Sequence, residues 1–333
     1  MKNRIYLLTG AAGLLGSNIS RQLIERGEKV RALVLSGDSA IKYVPRGAEI
    51  IQGDILDTPS LEELFNVPKD METIVIHTAS IVTLDPNPNA KVYAVNVNGT
   101  RNIIDMCVKH KVKKLVYISS TGAIPEKPGN EQIKEVKHFE PKEVVGYYSE
   151  TKAEATQLVL DAVKKYPELD ASIVHPTGPN DYANGPVSSF LIQYVKGEMK
   201  AGVEGTFNSV DVRDLAEGVI ACCDNGRRGE CYIMGNSLVT MNDMFEIVNK
   251  AAGLDYKPLI LPISVAKILA KIMAIISKIT GKKALLTDFA VYNLSRNNNF
   301  SYDKAVKELG YKVRPFEETI SDEIKWLKAE ALV

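Results

Sequence analysis

The sequence predicts an α/β fold, a doubly wound parallel sheet with a smaller, interleaved C-terminal region. Short apolar runs rich in β-branched residues alternate with amphipathic segments of helical period through the first 175 residues. A glycine-rich turn follows the first of these runs, and the alternation loosens into an irregular connection after Pro176. Such an alternation implies right-handed crossovers and one parallel sheet covered by helices on both faces.

The periodicities also predict where the elements lie. The strands are too short and too β-branched to be buried helices, and they fall at 5–9, 30–35, 49–53, 73–77, 114–119 and 171–175. Helical period predicts helices over 13–26, 60–64, 90–110, 148–165, 240–252, 263–280 and 316–331. We therefore expect a sheet domain at 1–175 with a return segment at about 206–225, and a second region at 176–205 and 226–333.

Composition and charge exclude several classes of protein. The 333 residues include 41 Lys and Arg against 41 Asp and Glu, so the chain lacks the basic excess typical of nucleic-acid-binding proteins. The cysteines form no CxxC pair and have no neighbouring histidines, which predicts reduced thiols and no metal site; they are Cys107, Cys222, Cys223 and Cys231. With no secretory signal in the first residues and no apolar run of about 18 residues, we expect a cytoplasmic protein.

Three glycines lie at the turn between the first strand and the first helix. Gly10 permits a tight turn, Gly13 lets the backbone approach a pyrophosphate, and Gly16 allows close packing of helix on strand. The N–H groups at the start of the following helix, which opens with Leu14 and Leu15, favour an anion. The turn therefore predicts a dinucleotide site, the alternative being a tight turn with no ligand.

Later strand ends supply further candidates for the same ligand. Asp54, followed by Ile55, is placed to accept a hydrogen bond from an adenine amino group, or else is a turn carboxylate. Ala79 and Ser80 are small and leave room for a ribose. The second strand ends without a ribose-binding acid or a phosphate-binding arginine, and Ser36 suits either partner, so NAD and NADP both stay open, with a lean to NAD.

A tyrosine and a lysine four residues apart open a predicted helix. This spacing places Tyr148 and Lys152 on one helical face, where the ammonium is expected to lower the phenol pKa and make it a general acid or base. Ser120 ends the fifth strand, at the edge where open α/β sheets bind ligands, and could orient a carbonyl. Asn96 lies inside the preceding helix, where it could bend the helix or hold a water for Lys152. The alternatives are that the Tyr148–Lys152 spacing arises by chance, that the Ser120 hydroxyl only caps a turn, and that Asn96 is a solvated helical residue.

Together these motifs resemble the extended short-chain dehydrogenases/reductases, the NAD-dependent epimerase/dehydratase superfamily. The matching stretches span residues 5 to about 215 and include Gly53-Asp54, Asn96-Val97-Asn98-Gly99-Thr100, Ser119-Ser120 and Val210-Asp211-Val212-Arg213-Asp214. The resemblance implies a Rossmann domain at 1–175 and a substrate-binding remainder. It implies that Ser120, Tyr148 and Lys152 form the catalytic set, that Asn96 completes a proton relay, and that Pro176 lies beside the nicotinamide.

The resemblance is closest to the 3β-hydroxysteroid dehydrogenase and dihydroflavonol reductase branch, through the C-terminal stretch at 287–311. It implies interconversion of a secondary alcohol and a ketone on a bulky, largely apolar, steroid-like substrate. The Gly122-Ala123-Ile124-Pro125 stretch lacks the acidic pair of the sugar dehydratases and the aromatic-glycine pair of the epimerases. A nucleotide-sugar epimerase and a non-catalytic dinucleotide sensor remain the alternatives. The connection at 175–179 is about three residues shorter than is usual in the family.

The segment 262–283 predicts a basic amphipathic helix. It contains Lys267, Lys271, Lys278 and Lys282 on one side and no acid, which suits either a lid over the substrate with a lysine-rich solvent face or a helix in weak contact with a membrane surface. The mixed-charge stretch 126–143 is expected to be a solvated loop over the site. By resemblance we also expect a homodimer formed through the helices at 90–110 and 148–165.

Overall fold

A computed structural model describes residues 3–180, 186–280 and 286–333. The strands in the described residues are β1 (Arg4–Thr9), β2 (Lys29–Val34), β3 (Glu49–Gln52), β4 (Glu72–His77), β5 (Lys114–Ile118), β6 (Ala171–Pro176), β7 (Gly178–Asn180), β8 (Ala201–Val203), β9 (Thr206–Asp211), β10 (Cys231–Met234), β11 (Leu238–Thr240) and β12 (Leu259–Leu261). The helices are α1 (Leu14–Glu25), α2 (Thr58–Phe65), α3 (Ala90–Tyr93), α4 (Thr100–Lys109), α5 (Tyr147–Lys165), α6 (Pro186–Val195), α7 (Val212–Asn225), α8 (Met241–Ala252), α9 (Ile263–Thr280), α10 (Asp288–Ser295), α11 (Asp303–Leu309) and α12 (Phe316–Ala329).

The central sheet is parallel and has seven described strands in the order β10-β6-β5-β4-β1-β2-β3. Its strands are nearly all apolar because helices cover both faces, and each face has its own buried cluster. The chain passes from β3 at one edge to β4 on the other side of β1. The strand order therefore reverses between β1 and β4, and this reversal opens a crevice at the carboxyl ends of the two strands.

The predicted doubly wound fold and its six strands are confirmed, with bounds that differ by a residue or so. The seventh strand, β10, pairs with β6 and comes from the part of the chain that the sequence assigns to the substrate-binding region. It is only four residues long, and its partner strand ends 55 residues earlier, so local periodicity gives no sign of the pairing. The return segment forms β9 and α7, and α7 packs against α1.

The single helix predicted at 90–110 is interrupted. Between α3 and α4 the chain forms a π-helical turn, Ala94–Gly99. The Thr100 Oγ1 donates a hydrogen bond of 2.7 Å to the Asn96 carbonyl within this turn. A wider turn of this kind rotates the following side chains, and such turns are frequent at functional sites.

The C-terminal region is interleaved with the sheet domain. In the described residues it contains two small sheets, one of three strands in the order β11-β9-β7 and one made of β12 and β8. Helices α6, α8 and α12 enclose a third buried cluster. The four cysteines are buried and free, as expected. The stretch 126–143 is a mostly exposed loop, as predicted, and two buried side chains anchor it: the Ile133 backbone bonds to 299–301, and Phe139 stacks on His175.

Helix α9 exposes Lys267 and Lys271, as predicted, and beside them an apolar strip that was not predicted. Its small residues Ala266 and Ala270 are buried, whereas Ile268, Ile272 and Ile275 are exposed. The solvent face is therefore apolar, with Lys267 and Lys271 exposed at its side. Lys278 belongs to α9, and Lys282 lies outside the described residues. None of the described helices is long and apolar enough to cross a bilayer.

Candidate active site

A cleft of about 830 Å³ opens at the crevice between β1 and β4. It is lined by most of the residues predicted from the sequence, namely Gly10, Gly13, Leu14, Leu15, Gly16, Asp54, Ile55, Ala79, Ser80, Ser120, Tyr148, Lys152 and Pro176. These residues lie after β1, β3, β4 and β5, at the end of β6 and on α5, where the carboxyl ends of the strands meet at one edge of the sheet. Two predicted residues, Ser36 and Asn96, do not line the cleft.

The glycine turn forms one wall of the cleft. Gly10 adopts a φ of 68°, and a Cβ there would lie 2.6 Å from the Thr78 Oγ1. A Cβ on Gly16 would lie 2.2 Å from the Gly10 carbonyl oxygen, so only glycine fits the contact between helix and turn. No side chain caps α1 at Gly13. The first N–H groups of α1 are therefore left to a ligand, as an anion-binding helix start requires.

The residues after β2 are the ones expected to separate NAD from NADP. Leu35 and Asp38 line the cleft, whereas Ser36 is exposed outside it. The Asp38 carboxylate accepts a hydrogen bond from the Ala40 N–H and begins a short 3-10 turn. Asp54 is the turn carboxylate expected as the alternative, because its Oδ1 accepts from the Leu56 N–H at 2.9 Å, and the residue also lines the cleft.

Tyr148 stands near two serine hydroxyls. Burial raises the pKa of Tyr148 to about 12, and hydrogen bonding with the Ser120 and Ser80 side chains opposes that rise. The expected lowering of the Tyr148 pKa by Lys152 is therefore wrong for this structure. Its phenol is protonated at neutral pH. The Ser120 Oγ also accepts from the Gly122 N–H at 3.0 Å, which fixes the hydroxyl at the end of β5.

Lys152 is buried, and its ammonium is turned toward β5. The Nζ donates to the Ile118 carbonyl at 2.7 Å and to the Tyr117 hydroxyl at 3.3 Å, and it lies 4.9 Å from the centre of the Tyr117 ring. Burial lowers the pKa of Lys152 to about 7. Tyr148 and Lys152 share a helix face as predicted, and Lys152 is anchored by partners on β5.

Asn96 does not reach Lys152. Its side-chain Oδ1 accepts from the Ile81 N–H and the Ser80 hydroxyl, and its Nδ2 donates to the Ile81 carbonyl and the Thr151 hydroxyl. The amide therefore ties the loop after β4 to α5. In this geometry Asn96 positions Ser80 beside Tyr148, and its side chain makes no direct hydrogen bond to Lys152.

The motif region lies within a recognised family. Residues 7–173, half of the chain, match the model of the 3-beta hydroxysteroid dehydrogenase/isomerase family. The chain belongs to the 3-beta hydroxysteroid dehydrogenase/isomerase family. This membership confirms the resemblance to the extended short-chain dehydrogenases/reductases and the enzyme class that it implied.

Two relatives and one solved structure show what the chain is similar to, the solved structure in fold alone. Sterol demethylase protein B of Methylococcus capsulatus is 31% identical over 254 residues, 74% of each chain. The 4-hydroxy-2-methyl-3-oxo-4-farnesyl-3,4-dihydroquinoline-1-oxide ketoreductase of Stigmatella aurantiaca is 27% identical over 316 residues, 92% of this chain and 91% of the relative. The solved UDP-glucose 4-epimerase of Thermus thermophilus, a complex with NAD, has a TM-score of 0.73 at 21% identity and covers 97% of this chain and 99% of its own.

Sequence reasoning missed a buried polar chain behind Lys152 in this dehydrogenase. The Tyr117 hydroxyl interacts with Thr100, whose Oγ1 lies 3.0 Å from the His77 Nε2, and the His77 Nδ1 lies 2.7 Å from the Thr9 Oγ1. Burial lowers the pKa of His77 to about 3, so the imidazole is neutral. The only signal in the sequence is a His or Tyr near the end of an otherwise apolar strand.

Thr177 is a second residue that the sequence did not single out. It follows Pro176 and lines the cleft, and its buried Oγ1 has no hydrogen-bond partner among the described residues. The short connection continues directly into β7, which pairs with β9. Because a buried hydroxyl without a partner is costly, the Thr177 Oγ1 marks a place where a polar group of a ligand fits.

Proposed function

We propose that this protein is an NAD-dependent oxidoreductase that interconverts a secondary alcohol and a ketone on a bulky, largely apolar, steroid-like substrate. The observation that carries the proposal is the meeting of the Ser120 and Tyr148 hydroxyls in the cleft walled by the Gly10–Gly16 turn. Two relatives support the substrate class, since one is named a sterol demethylase protein and the other a ketoreductase of a farnesylated quinoline.

The residues present fit a nicotinamide dinucleotide. The pyrophosphate would be held by the uncapped N-terminus of α1 and by the glycines of the turn before it. The Thr177 Oγ1, which has no partner among the described residues, would meet a polar group at the nicotinamide end. When bound, such a cofactor supplies or accepts a hydride. Asp38 at the adenosine end favours a ribose hydroxyl over a phosphate, so we propose NAD. Tighter binding of NADPH than of NADH in a direct titration would reverse that choice.

Residues of the chain orient the substrate and transfer the proton. The Ser120 Oγ and the Tyr148 hydroxyl orient the substrate oxygen. In the reducing direction, Tyr148 gives its phenolic proton to the carbonyl oxygen while the carbonyl carbon gains the hydride, and in the oxidising direction both transfers reverse. The Lys152 Nζ donates to the Ile118 carbonyl and the Tyr117 hydroxyl, and it thereby holds the helix of Tyr148 against the strand that leads to Ser120. Asn96 positions Ser80 and takes no direct part.

The proposal is tested by following nicotinamide absorbance at 340 nm with a panel of steroid and other polycyclic ketones and alcohols. We expect turnover in the wild type and its loss, with NADH binding retained, in Tyr148→Phe. Tyr147→Phe is the matched control, because Tyr147 precedes Tyr148 on α5 but its i+4 neighbour is Thr151. Turnover that survives in Tyr148→Phe contradicts the assigned role.

Two alternatives are separated by binding measurements. A thermal-shift panel in which UDP- or GDP-sugars stabilise the protein and steroids do not would favour a nucleotide-sugar epimerase. NADH binding without turnover over the whole panel would favour a non-catalytic dinucleotide sensor.

We also propose a cytoplasmic homodimer. The four buried, unpaired thiols support a reducing compartment. The neighbouring helices α4 and α5 would form the interface. Sedimentation velocity at micromolar concentration tests the dimer, and a monomer there contradicts it. Weak contact of 262–283 with a membrane surface is a separate proposal and is argued next.

A further inference from the structure

Helix α9 has an apolar face turned to solvent, which we call the α9 outer face. It consists of Val265, Ile268, Leu269, Ile272 and Ile275, and the exposed fractions of Ile268 and Ile275 are 61% and 60%. At about 100° per residue these side chains span about 120°, on the side of the helix away from Ala266 and Ala270. Exposed apolar surface of this extent on one element marks an interaction site.

The segment that contains this face carries charge of one sign. Residues 256–287 contain six lysines and no Asp or Glu. Lys267 and Lys271 are exposed and lie about 100–140° around the helix from Ala266, along one border of the α9 outer face. An apolar strip bordered by cations is the pattern of a helix that lies in the plane of a membrane interface.

We propose that the α9 outer face docks on the surface of an anionic lipid bilayer, with the isoleucines among the upper acyl chains and the lysines against phosphate headgroups. The 18 residues of α9 extend about 27 Å, enough to lie along the surface. A second copy suits the face less well, because an antiparallel two-fold contact would place the lysines of both copies along one edge with no acid of the segment to pair them.

The α9 outer face lies close to the candidate active site, so docking there would bring the site to the membrane. Helix α9 packs on α10, and the Phe289 ring of α10 lies against Gly146, two residues before Tyr148. The α9 outer face is thus one helix away from the wall of the candidate active site. Docking there would bring that wall close to the bilayer, in which an apolar substrate dissolves. This use rests on the proposed function, whereas the docking itself does not.

Flotation with phosphatidylcholine vesicles, with and without phosphatidylglycerol, tests the docking. We expect the wild type to bind the anionic vesicles, with binding at least about fivefold weaker to neutral vesicles and weaker again at high salt. The double variant Ile272→Glu with Ile275→Glu is expected to lose binding. Lys267→Ser with Lys271→Ser is expected to weaken binding to anionic vesicles by about fivefold or more, but to change binding to neutral vesicles little.

Val306→Glu is the matched control, since Val306 is 45% exposed on α11, beside the central sheet. It is expected to bind vesicles like the wild type. Circular dichroism and NADH binding, which need no substrate, establish that each variant is folded. Wild type that stays unbound with anionic vesicles overturns the proposal, as does equal binding by the isoleucine variant. Dissociation of a dimer by that variant in sedimentation, without vesicle binding by the wild type, assigns the face to a second copy instead.

Discussion

Lys152 is a buried cation whose protonation is linked to stability. Burial lowers its pKa to about 7, whereas a lysine in the unfolded chain holds its proton to about pH 10.5. Between these values the unfolded state binds more protons, so the contribution of this group to stability rises with pH. The free-energy cost of burying the charged lysine is fully present below about pH 7 and decreases to nearly zero by about pH 10.

We therefore predict that Lys152→Met removes a pH dependence. The wild-type free energy of unfolding should rise relative to that of the variant by roughly 2–4 kcal/mol between pH 6 and pH 10, since one pKa unit corresponds to about 1.4 kcal/mol. Urea unfolding at several pH values without cofactor measures it. Lys164→Met is the control, because Lys164 lies on the same helix with its side chain 71% exposed. Parallel curves for wild type and Lys152→Met would contradict the prediction.

Tyr117 is predicted to be a positioning residue for Lys152. Tyr117→Phe keeps the ring under the ammonium but removes the hydroxyl that accepts from the Nζ at 3.3 Å. Losing an acceptor disfavours the charged lysine, so the limb of the pH–rate profile that reports Lys152 should move to lower pH, with kcat about tenfold lower and KM nearly unchanged. Tyr6→Phe is the control, since the buried Tyr6 hydroxyl bonds to Arg4 instead. A profile that does not move would rule out this role.

Two of the three glycines at the turn between β1 and α1 have different constraints. A Cβ on Gly13 would meet only the Gly10 carbonyl oxygen, at 3.2 Å, while a Cβ on Gly16 would come within 2.2 Å of the same atom. Gly13→Ala should therefore fold nearly normally but bind NADH at least about tenfold more weakly, because the methyl group occupies the approach of the pyrophosphate. Gly16→Ala should lose both binding and stability. Fluorescence titration and thermal melts separate the two, and wild-type affinity in Gly13→Ala would remove the pyrophosphate from this turn.

The first half of the chain was predictable because its signals are local. Each strand is a short β-branched run, and the glycine turn, Ser120 and the Tyr148–Lys152 pair lie next to the strand and helix ends that position them. The interrupted helix at Ala94–Gly99 was not predictable, since its apolar period differs little from that of a continuous helix.

Orientations set by distant contacts could not be predicted. The Asn96 amide turns to Ile81 and Thr151, and Lys152 turns to Tyr117, because the loop after β4 and the strand β5 fold against them. The lysine spacing of α9 was visible in the sequence. Which side of α9 is buried was not, because that depends on the small contact surface of Ala266 and Ala270.

The motif at 210–214 connects the two regions of the molecule, and from the sequence it was identified only as part of the family resemblance. Asp211 and Asp214, at the start of α7, both bind Arg314 from the stretch before α12. The Arg314 backbone N–H also donates to the Asp214 carboxylate at 2.8 Å. The motif at 210–214 therefore joins the sheet domain to the C-terminal helices. Because the chain crosses between the two regions several times, we expect them to unfold together.

Arg314→Met tests this connection. The variant leaves the buried Asp211 and Asp214 without their shared guanidinium, so the free energy of unfolding should fall by about 2–3 kcal/mol, still in a single transition. Arg227→Met removes a comparable pair with Glu308, but the Arg227 side chain is 59% exposed, and solvent-screened pairs of this kind contribute less than about 1 kcal/mol. Urea unfolding followed by far-ultraviolet circular dichroism and by the fluorescence of Trp326 on α12 compares the two variants. Separate transitions for the two probes in the wild type would show that the regions fold independently, and equal losses in the two variants would show that Arg314 does no more than a surface pair.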